Sequence, residues 1–212
     1  MSELYRYDME EAARWGRRAK IAGIDEAGRG PLAGPVVAAA VILDLNCPID
    51  GVNDSKKLTA AKRDRLFELI TGTAKAYGVG VADQREIDGV NILQATFLAM
   101  RRALEGVGGQ YDLLLVDGNR HIAGISRERQ RTIVGGDALS ASIAAASIIA
   151  KVTRDRMMDG YHERYPRYDF AKHKGYGTKR HIEMIKMHGL CEIHRKSFCE
   201  RIVNSQTSLF LA

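Results

Sequence analysis

Acidic side chains follow apolar runs at three places in this sequence. Asp25 and Glu26 come directly after the run 21–24, Asp117 comes directly after the run 113–116, and Asp137 follows the short apolar pair 133–134. Acids placed after several core strands can meet at one edge of a sheet. Clustered carboxylates repel one another unless a cation neutralises them, and hard oxygen ligands select Mg²⁺ or Mn²⁺ over softer metals. The pattern therefore indicates a metal site suited to two-metal phosphoryl transfer.

Each of these acids also has a simpler interpretation. A single carboxylate at the end of a strand is more often a turn or helix-capping residue, and only the repetition of the pattern favours a site. Neighbouring residues on a regular strand point to opposite faces, so Asp25 and Glu26 require a local bend to act together. Gly28 and Gly30 are positioned to supply that bend.

The elements that must position these acids are strands interleaved with helices. Continuous apolar character predicts strands over 20–25, 35–43, 75–82 and 112–117. Helical spacing predicts helices after Thr59, a plausible N-cap, and over 91–106, 139–160 and 178–189. We therefore expect an α/β fold, a mixed sheet with flanking helices followed by a helical C-terminal extension.

Length and charge define the broad organisation. A chain of 212 residues is long enough for one core, which we assign to 20–160, after an N-terminal extension 1–19 and before a helical part 161–205 and a tail 206–212. The net charge of +6 is concentrated in 151–201, which holds 13 Lys and Arg against 7 Asp and Glu. This segment is suited to phosphate binding, although a solvated face would have the same composition.

Targeting signals and disulfides are not expected. The three cysteines form no C-x-x-C pair, and the longest apolar runs, 32–43 and 139–150, are too short to cross a bilayer. The N-terminus lacks the apolar stretch of a secretion signal. We therefore predict a cytoplasmic protein with reduced thiols.

Two other sites can be drawn from the sequence. The glycines of 28–34 resemble a G-x-G-x-x-G dinucleotide motif with a shifted last glycine, but Pro31 disfavours helix entry there and the following segment is β-like. Bare glycine backbone can instead approach a sugar or phosphate closely. A zinc site could use His188, Cys191, His194 and Cys199, although their spacing fits no common zinc pattern.

The segment 25–34, Asp-Glu-Ala-Gly-Arg-Gly-Pro-Leu-Ala-Gly, resembles the signature of the bacterial ribonuclease HII family. The segments 53–58, 117–119, 136–137 with 142–151, and 173–178 match further motifs of that family in the same order, so the resemblance covers about 20–200. It implies a ribonuclease H-like fold and an endonuclease that hydrolyses the RNA strand of RNA–DNA hybrids. It also implies incision 5′ to ribonucleotides embedded in duplex DNA, leaving 3′-hydroxyl and 5′-phosphate ends.

The resemblance also assigns roles to residues. It makes Asp25, Glu26, Asp117 and Asp137 the catalytic carboxylates that bind Mn²⁺ or Mg²⁺, whereas Asp155 is interpreted as structural. It implies that the substrate is bound by residues of the glycine loop, of the segment after Cys47 and of the C-terminal part, namely Gly28, Arg29, Gly30, Asn53, Ser55, Lys56, Lys57 and Tyr176. The loop and Tyr176 would recognise the ribose 2′-hydroxyl. Gly135 stands where the family often has lysine.

Partners are predicted more loosely. The end of the chain resembles the peptide by which bacterial proteins dock on the replication sliding clamp, with Gln206, Leu209 and Phe210 as its anchors and Thr207 departing from the usual leucine. A tail that folds back on the domain is the alternative. We expect a monomer. A non-catalytic nucleic-acid-binding module remains the alternative function, but such a module has no reason to place four carboxylates where phosphates bind.

Overall fold

A five-stranded mixed sheet with helices on both faces forms the body of the protein, as predicted. The computed structural model describes residues 2–16, 19–53, 55 and 58–207. The strands are β1 (Ile21–Ala27), β2 (Val36–Ile42), β3 (Ala76–Ala82), β4 (Leu113–Asp117) and β5 (Gln130–Ile133). The helices are α1 (Glu3–Trp15), α2 (Ala60–Thr73), α3 (Gln84–Gly106), α4 (Ala141–Arg164), α5 (Phe170–His173), α6 (Lys179–His188) and α7 (Lys196–Thr207).

The sheet has the strand order β3-β2-β1-β4-β5. β1 pairs antiparallel with β2 and parallel with β4, and β4 pairs parallel with β5. The four predicted strands are confirmed, and β5 was not predicted. Because β1 and β4 run in parallel, their carboxyl ends reach the same edge of the sheet, and both end near acidic residues.

The helix α4 covers one face of the sheet. It begins after Ser140, whose side chain accepts the N–H of Ile143, and its first ten residues are all buried. A Cβ atom added to Gly23 on β1 would lie 2.1 Å from the backbone carbon of Ser142, so only glycine allows the helix to approach this closely. The predicted helix 139–160 is therefore confirmed, and its contact with β1 fixes one wall of the site.

The helix α3 covers the opposite face and starts earlier than predicted. Asp83 and Glu86 form a capping box at its N-terminus. Asn91, where we expected the helix to begin, has φ 66° and ψ 163°, and its side chain accepts the N–H groups of Leu93 and Gln94. The sequence thus identified the second of two helical segments that meet at a kink.

The C-terminal helices pack around a smaller apolar cluster that includes Tyr168, Phe170 and Ile193. The predicted caps are confirmed, since the side chains of Thr59 and Thr178 each accept a backbone N–H of the following helix. Within the part of the chain that the structure describes, no helix is both long and apolar enough to span a membrane. Cys47, Cys191 and Cys199 are all free thiols.

Candidate active site

Three of the predicted carboxylates line one cavity at the carboxyl edge of β1 and β4. The cavity has a volume of about 300 Å³, and Asp25, Glu26 and Asp117 contribute to its wall. Asp25 shares the α4 side of the sheet with Gly23, whereas Glu26 shares the α3 side with Ile24. Both side chains reach the same cavity because it lies at the carboxyl end of β1. The bend comes just afterwards, at Gly28, which has φ 96°.

Asp25 is the most enclosed of these three acids. Its carboxylate is 5% exposed and accepts the N–H of Glu26 at 2.7 Å. Burial raises the pKa of Asp25 well above its ordinary value, and the negative charges of Glu26 and Asp117 raise it further. A hydrogen bond from Ser147 on α4 acts in the opposite direction on the same pKa. Burial and the two neighbouring carboxylates therefore both disfavour the charged form of Asp25.

Asp137 lies beside this cluster, in the short 3₁₀ turn Gly136–Ala138 that precedes α4. It is buried, and its neighbour Gly136 donates its N–H to Asp117 Oδ1 at 2.7 Å. Gly135 adopts the left-handed conformation at φ 68°, which glycine reaches without strain. The turn thus ties the fourth predicted acid to the end of β4.

The carboxylates do not form a closed ligand set. Among the described residues, no three His, Cys, Asp or Glu side chains converge closely enough to hold one ion. The donors fit a hard divalent cation, because they are all carboxylate oxygens. The pKa of Asp25 is raised by burial and then by repulsion from Glu26 and Asp117, and a cation would relieve that repulsion.

The glycine loop passes over the same cavity, with Gly28, Arg29 and Gly30 in its wall. The Arg29 guanidinium donates to Glu26 at 3.3 Å, so its charge lies beside the acids. The loop leads into β2 and not into a helix, which shows that the dinucleotide interpretation was wrong. A Cβ at Gly30 would lie 3.9 Å from the ring of Tyr176, so the loop and this ring face each other.

The other predicted substrate-binding residues are distributed unevenly. Tyr176 lines the cavity and is 46% exposed, so its ring is available to a ligand. Ser55 also lines the cavity, is buried, and shares a 2.8 Å hydrogen bond with Ser147. Asn53 is exposed. Lys56 and Lys57, like Leu209 and Phe210 of the predicted clamp peptide, lie outside the described residues, and Gln206 falls in the last turn of α7.

Comparison with known proteins identifies the family. Residues 22–201 match the family model of ribonuclease HII. A ribonuclease HII of Endomicrobium trichonymphae is 59% identical over 190 residues, which is 89% of this chain and 90% of the relative. The chain belongs to the ribonuclease HII family. It is an endonuclease that cleaves the RNA strand of RNA–DNA hybrids, and the alternative of a non-catalytic binding module is set aside.

Solved structures agree with the fold of a ribonuclease HII. The PCNA:RNase HII complex from Archaeoglobus fulgidus contains a chain that is 27% identical, with a TM-score of 0.68 over 83% of this chain and 93% of that one. Bst-RNase HIII in complex with Mn²⁺ is 21% identical, with a TM-score of 0.64 over 84% of this chain and 66% of that one. The second likeness concerns the fold alone.

Several residues in the wall of this ribonuclease HII cavity were not predicted to be site residues. They are basic or hydroxyl side chains of α2 and α4, namely Arg63, Ser147, Lys151 and Arg154. Lys151 also donates to Asp155 at 2.7 Å, which agrees with a structural role for that acid. The helical spacing of 147, 151 and 154 on α4 was a usable signal, because it places all three on one face.

The residues of the zinc alternative are engaged in other contacts. His194 has its Nε2 3.0 Å from His181 Nε2 and its Nδ1 3.1 Å from Cys191 Sγ. Cys199 directs its thiol to the carbonyl of Leu32, and His188 packs edge-on against Tyr168. Among these four side chains, Cys191 and His194 contact each other, whereas Cys199 and His188 contact other residues, so the four do not converge on one point and form part of the packing around α6 and α7.

A second, somewhat larger cavity lies at the opposite end of β1. Its volume is about 370 Å³, and alanine, leucine and isoleucine side chains of α1, β1 and β2 form most of its wall. Lys20 and Lys75 are its only charged lining residues among those described. The described residues give it no carboxylate for a divalent cation, so its size does not make it the active site.

Proposed function

We propose that this enzyme incises the strand on the 5′ side of a ribonucleotide embedded in duplex DNA, as well as within longer hybrids. The single observation that supports this is that the acids and the glycine loop line the same cavity. Three carboxylates, the Gly28–Gly30 loop and Tyr176 all contribute to its wall. A phosphodiester held between them would present its phosphate to the acids and its ribose to the loop.

The residues proposed to hold Mg²⁺ or Mn²⁺ are Asp25, Glu26, Asp117 and Asp137. When bound, such ions activate water and stabilise the negative charge that develops on the phosphate in an in-line displacement. The acids contribute by fixing negative charge at the end of β1 and β4. Gly136 and Ser147 hold two of these carboxylates by hydrogen bonds, which limits their rotation. We propose 3′-hydroxyl and 5′-phosphate ends as products.

The substrate contacts divide by chemistry. Gly28, Arg29 and Gly30 bring bare backbone to the cavity, and the Tyr176 ring gives a flat surface against a sugar. We propose that these residues recognise the ribose 2′-hydroxyl, the group that distinguishes RNA from DNA. Asn53, Ser55, Lys56 and Lys57 are proposed to contact phosphates, which sets position and not sequence. Lys151 and Arg63, also in the cavity wall, add positive charge to the same phosphate path.

The test is cleavage of a DNA duplex that contains one ribonucleotide, with Mg²⁺ or Mn²⁺ supplied. Wild type should incise 5′ to the ribonucleotide, and Asp117→Asn should be slower by about a thousandfold, because it removes a charge that supports the transition state. Asp112→Asn is the matched control. Asp112 lies just before the same strand and accepts the N–H of Lys20, far from the cavity, so this variant should keep full activity. Wild-type cleavage of long hybrids without incision at a single ribonucleotide would refute the proposal.

We also propose that the C-terminal segment docks on a replication sliding clamp through Gln206, Leu209 and Phe210. The A. fulgidus relative forms a complex with PCNA, which supports a clamp as the class of partner. The enzyme itself is proposed to be a monomer. Deletion of 206–212 should abolish clamp binding in a pull-down with purified clamp and leave hybrid cleavage unchanged. Equal clamp binding by the truncated and full-length chains would contradict this assignment.

A further inference from the structure

Two arginines beneath the glycine loop are buried without an acidic partner. Arg154 on α4 is 1% exposed, and Arg195, just before α7, is fully buried. Arg154 donates to the carbonyls of Ala33, Pro35 and Lys174 at 2.9 to 3.2 Å. Arg195 donates to those of Gly28, Arg29 and Gly34 at 2.6 to 2.9 Å. In the described part of the chain, every hydrogen bond of both guanidinium groups ends on a backbone oxygen.

Burying two positive charges close to each other is electrostatically unfavourable. Burial, and after it the charge of Arg154, lower the pKa of Arg195 to about 9, yet the group stays protonated at neutral pH. Burial also lowers the pKa of Arg154. Buried charges are normally paired with an opposite charge. Within the described chain, the hydrogen bonds of both side chains are accepted by backbone carbonyls, so the two side chains fix the orientation of those peptide groups.

The orientation of those peptide groups determines where the N–H groups of the loop point. In a trans peptide the N–H lies opposite the C=O. The carbonyls of Gly28 and Arg29 both face Arg195, so the N–H groups of Arg29 and Gly30 face away from it. Neither N–H donates a hydrogen bond to any described part of the chain. The loop lines the cavity and Arg195 does not, so these two consecutive donors point to the cavity side.

Arg154 connects the loop to the residue on its other side. Its Nη1 holds the carbonyl of Lys174, two residues before Tyr176, while its Nε and Nη2 hold the carbonyls of Pro35 and Ala33. Its guanidinium carbon lies 6.0 Å from the centre of the Tyr176 ring. A side chain at Gly28 would collide with Arg154, since a Cβ there would lie 2.0 Å from Nε. Arg154 therefore sets the gap between the loop and the ring.

We propose that Arg154 and Arg195 are positioning residues for ribose recognition, which aim the N–H groups of Arg29 and Gly30 at the 2′-hydroxyl oxygen and hold Tyr176 opposite them. The inference rests on the proposed function, because it assumes that this cavity receives the ribonucleotide. Paired N–H groups of a bent loop form a concave donor site for one oxygen atom. A deoxyribose has no oxygen there, so both arginines would contribute to discrimination through the loop, and Arg195 would do so from outside the cavity lining.

The experiment measures discrimination by equilibrium binding. In an Asp117→Asn background, which prevents cleavage, we compare affinity for a duplex with one ribonucleotide and for the same duplex in DNA. Arg195→Lys should lower the ratio of the two affinities by about tenfold, as expected when hydrogen bonds from a charged group are lost. Arg154→Lys should act in the same direction. The affinity for the all-DNA duplex should not change.

Arg156→Lys is the control, since Arg156 lies two residues further along α4, is exposed, and binds the carboxylates of Asp64 and Glu68. It should leave the ratio unchanged. The inference is overturned if the ratio is unchanged in both Arg195→Lys and Arg154→Lys, or if each variant loses the same affinity for both duplexes. Either result leaves the proposed function standing. A background protein with no preference for the ribonucleotide refutes the proposed ribose recognition itself, and the inference with it.

A second measurement keeps both arginines and therefore does not depend on whether the lysine variants fold. Amide hydrogen exchange in the Asp117→Asn protein should show fast exchange at Arg29 and Gly30 in the free enzyme. The duplex with one ribonucleotide should slow exchange at both amides, whereas the all-DNA duplex should not. Protection of these amides in the free enzyme, or equal protection by the two duplexes, overturns the inference.

Discussion

The buried acids and the buried arginines of this ribonuclease HII are opposite in charge and different in kind. Asp25 has two like charges as neighbours, and its raised pKa shows that the protein alone does not stabilise it. Arg154 and Arg195 also lack an ion pair, but backbone carbonyls occupy their donors. In the acidic cluster the charges of Glu26 and Asp117 disfavour the charge of Asp25, whereas backbone oxygens accept the hydrogen bonds of the two arginines.

This difference separates residues that serve the reaction from residues that serve the shape of the site. Charge that the fold leaves uncompensated lowers stability and is retained for function. Charge that the fold compensates internally holds segments in place, and its loss leaves buried acceptors without donors. Substitutions of the acids should therefore mainly lower activity, whereas substitutions of the arginines should mainly lower stability.

The largest effect is expected for Asp25→Asn. Cleavage of a hybrid should fall by about a thousandfold, the order found when one charge-stabilising group is removed. The free energy of unfolding at neutral pH without divalent cations should rise, because the substitution removes a carboxyl group that burial and the charges of Glu26 and Asp117 disfavour. Asparagine can still accept the Glu26 N–H. Urea titration measures this change. A variant that is less stable than wild type would show that Asp25, like the two arginines, stabilises the fold.

Arg195→Met should give the reverse result in stability. The apolar side chain keeps most of the volume but leaves the carbonyls of Gly28, Arg29 and Gly34 without their donor. We expect the free energy of unfolding to fall by about 3 kcal/mol, as when a buried charged donor is removed from its acceptors. Urea titration with Arg201→Met as the exposed control measures it. A loss similar to that of the control would show that the carbonyls are satisfied in another way.

The histidine pair behind the Tyr176 loop should make stability depend on pH. Burial lowers the pKa of His181 and of His194 from 6.5 to about 4, so the unfolded chain binds protons at higher pH than the folded one. Their stabilising effect is complete above pH 6.5 and is lost as the pH falls towards 4. The expected loss is on the order of 2–3 kcal/mol.

A difference measurement isolates that loss, because another group titrates in the same range. Burial raises the pKa of Asp8 to about 6, and stability linked to this acid falls as the pH rises from 3.8. The advantage of wild type over His181→Gln in free energy of unfolding should therefore shrink between pH 7 and 4. His188→Gln, an exposed substitution on the same helix, should show a constant difference from wild type. A constant difference for His181→Gln would contradict the assignment.

The smallest effect is expected for Arg156→Met on α4. Arg156 binds Asp64 at 3.4 Å and Glu68 at 3.2 Å, but all three side chains are more than half exposed. Exposed ion pairs contribute about 0–1 kcal/mol, so the free energy of unfolding should change by no more than that. Comparison with Arg154→Met by urea titration sharpens the contrast between an exposed and a buried arginine only two residues apart.

The sequence predicted the acidic half of the site better than the basic half. Asp25 and Asp117 each follow a run of apolar residues, which is a local signal for a strand end, and both lie where this signal placed them. Arg154 and Arg195 belong to a basic segment in which composition does not indicate which side chains turn inward. Their carbonyl partners are up to 167 positions away in sequence, so only tertiary packing brings them together.

The elements that were not predicted are polar for their position. β5 has the sequence Gln-Arg-Thr-Ile at the edge of the sheet, so its residues show little apolar character. The buried residues of α1 include Asp8 and Glu11, which a pattern of apolar burial does not identify. Asp8 accepts the N–H of Ser142 at the start of α4, and Glu11 binds Arg131 of β5. These contacts are long-range and electrostatic, and periodicity does not report them.

The order in which the chain is synthesised has a consequence for when this enzyme becomes active. The glycine loop and the first two acids leave the ribosome early, whereas the arginines that hold the loop lie at 154 and 195. A nascent chain that ends before these residues has the acids but no fixed loop, and a parallel partner strand for β1 forms only after β4 emerges. The parts that hold the loop and complete the sheet around β1 therefore emerge after the loop and the first two acids, so the cavity takes its final shape late in synthesis.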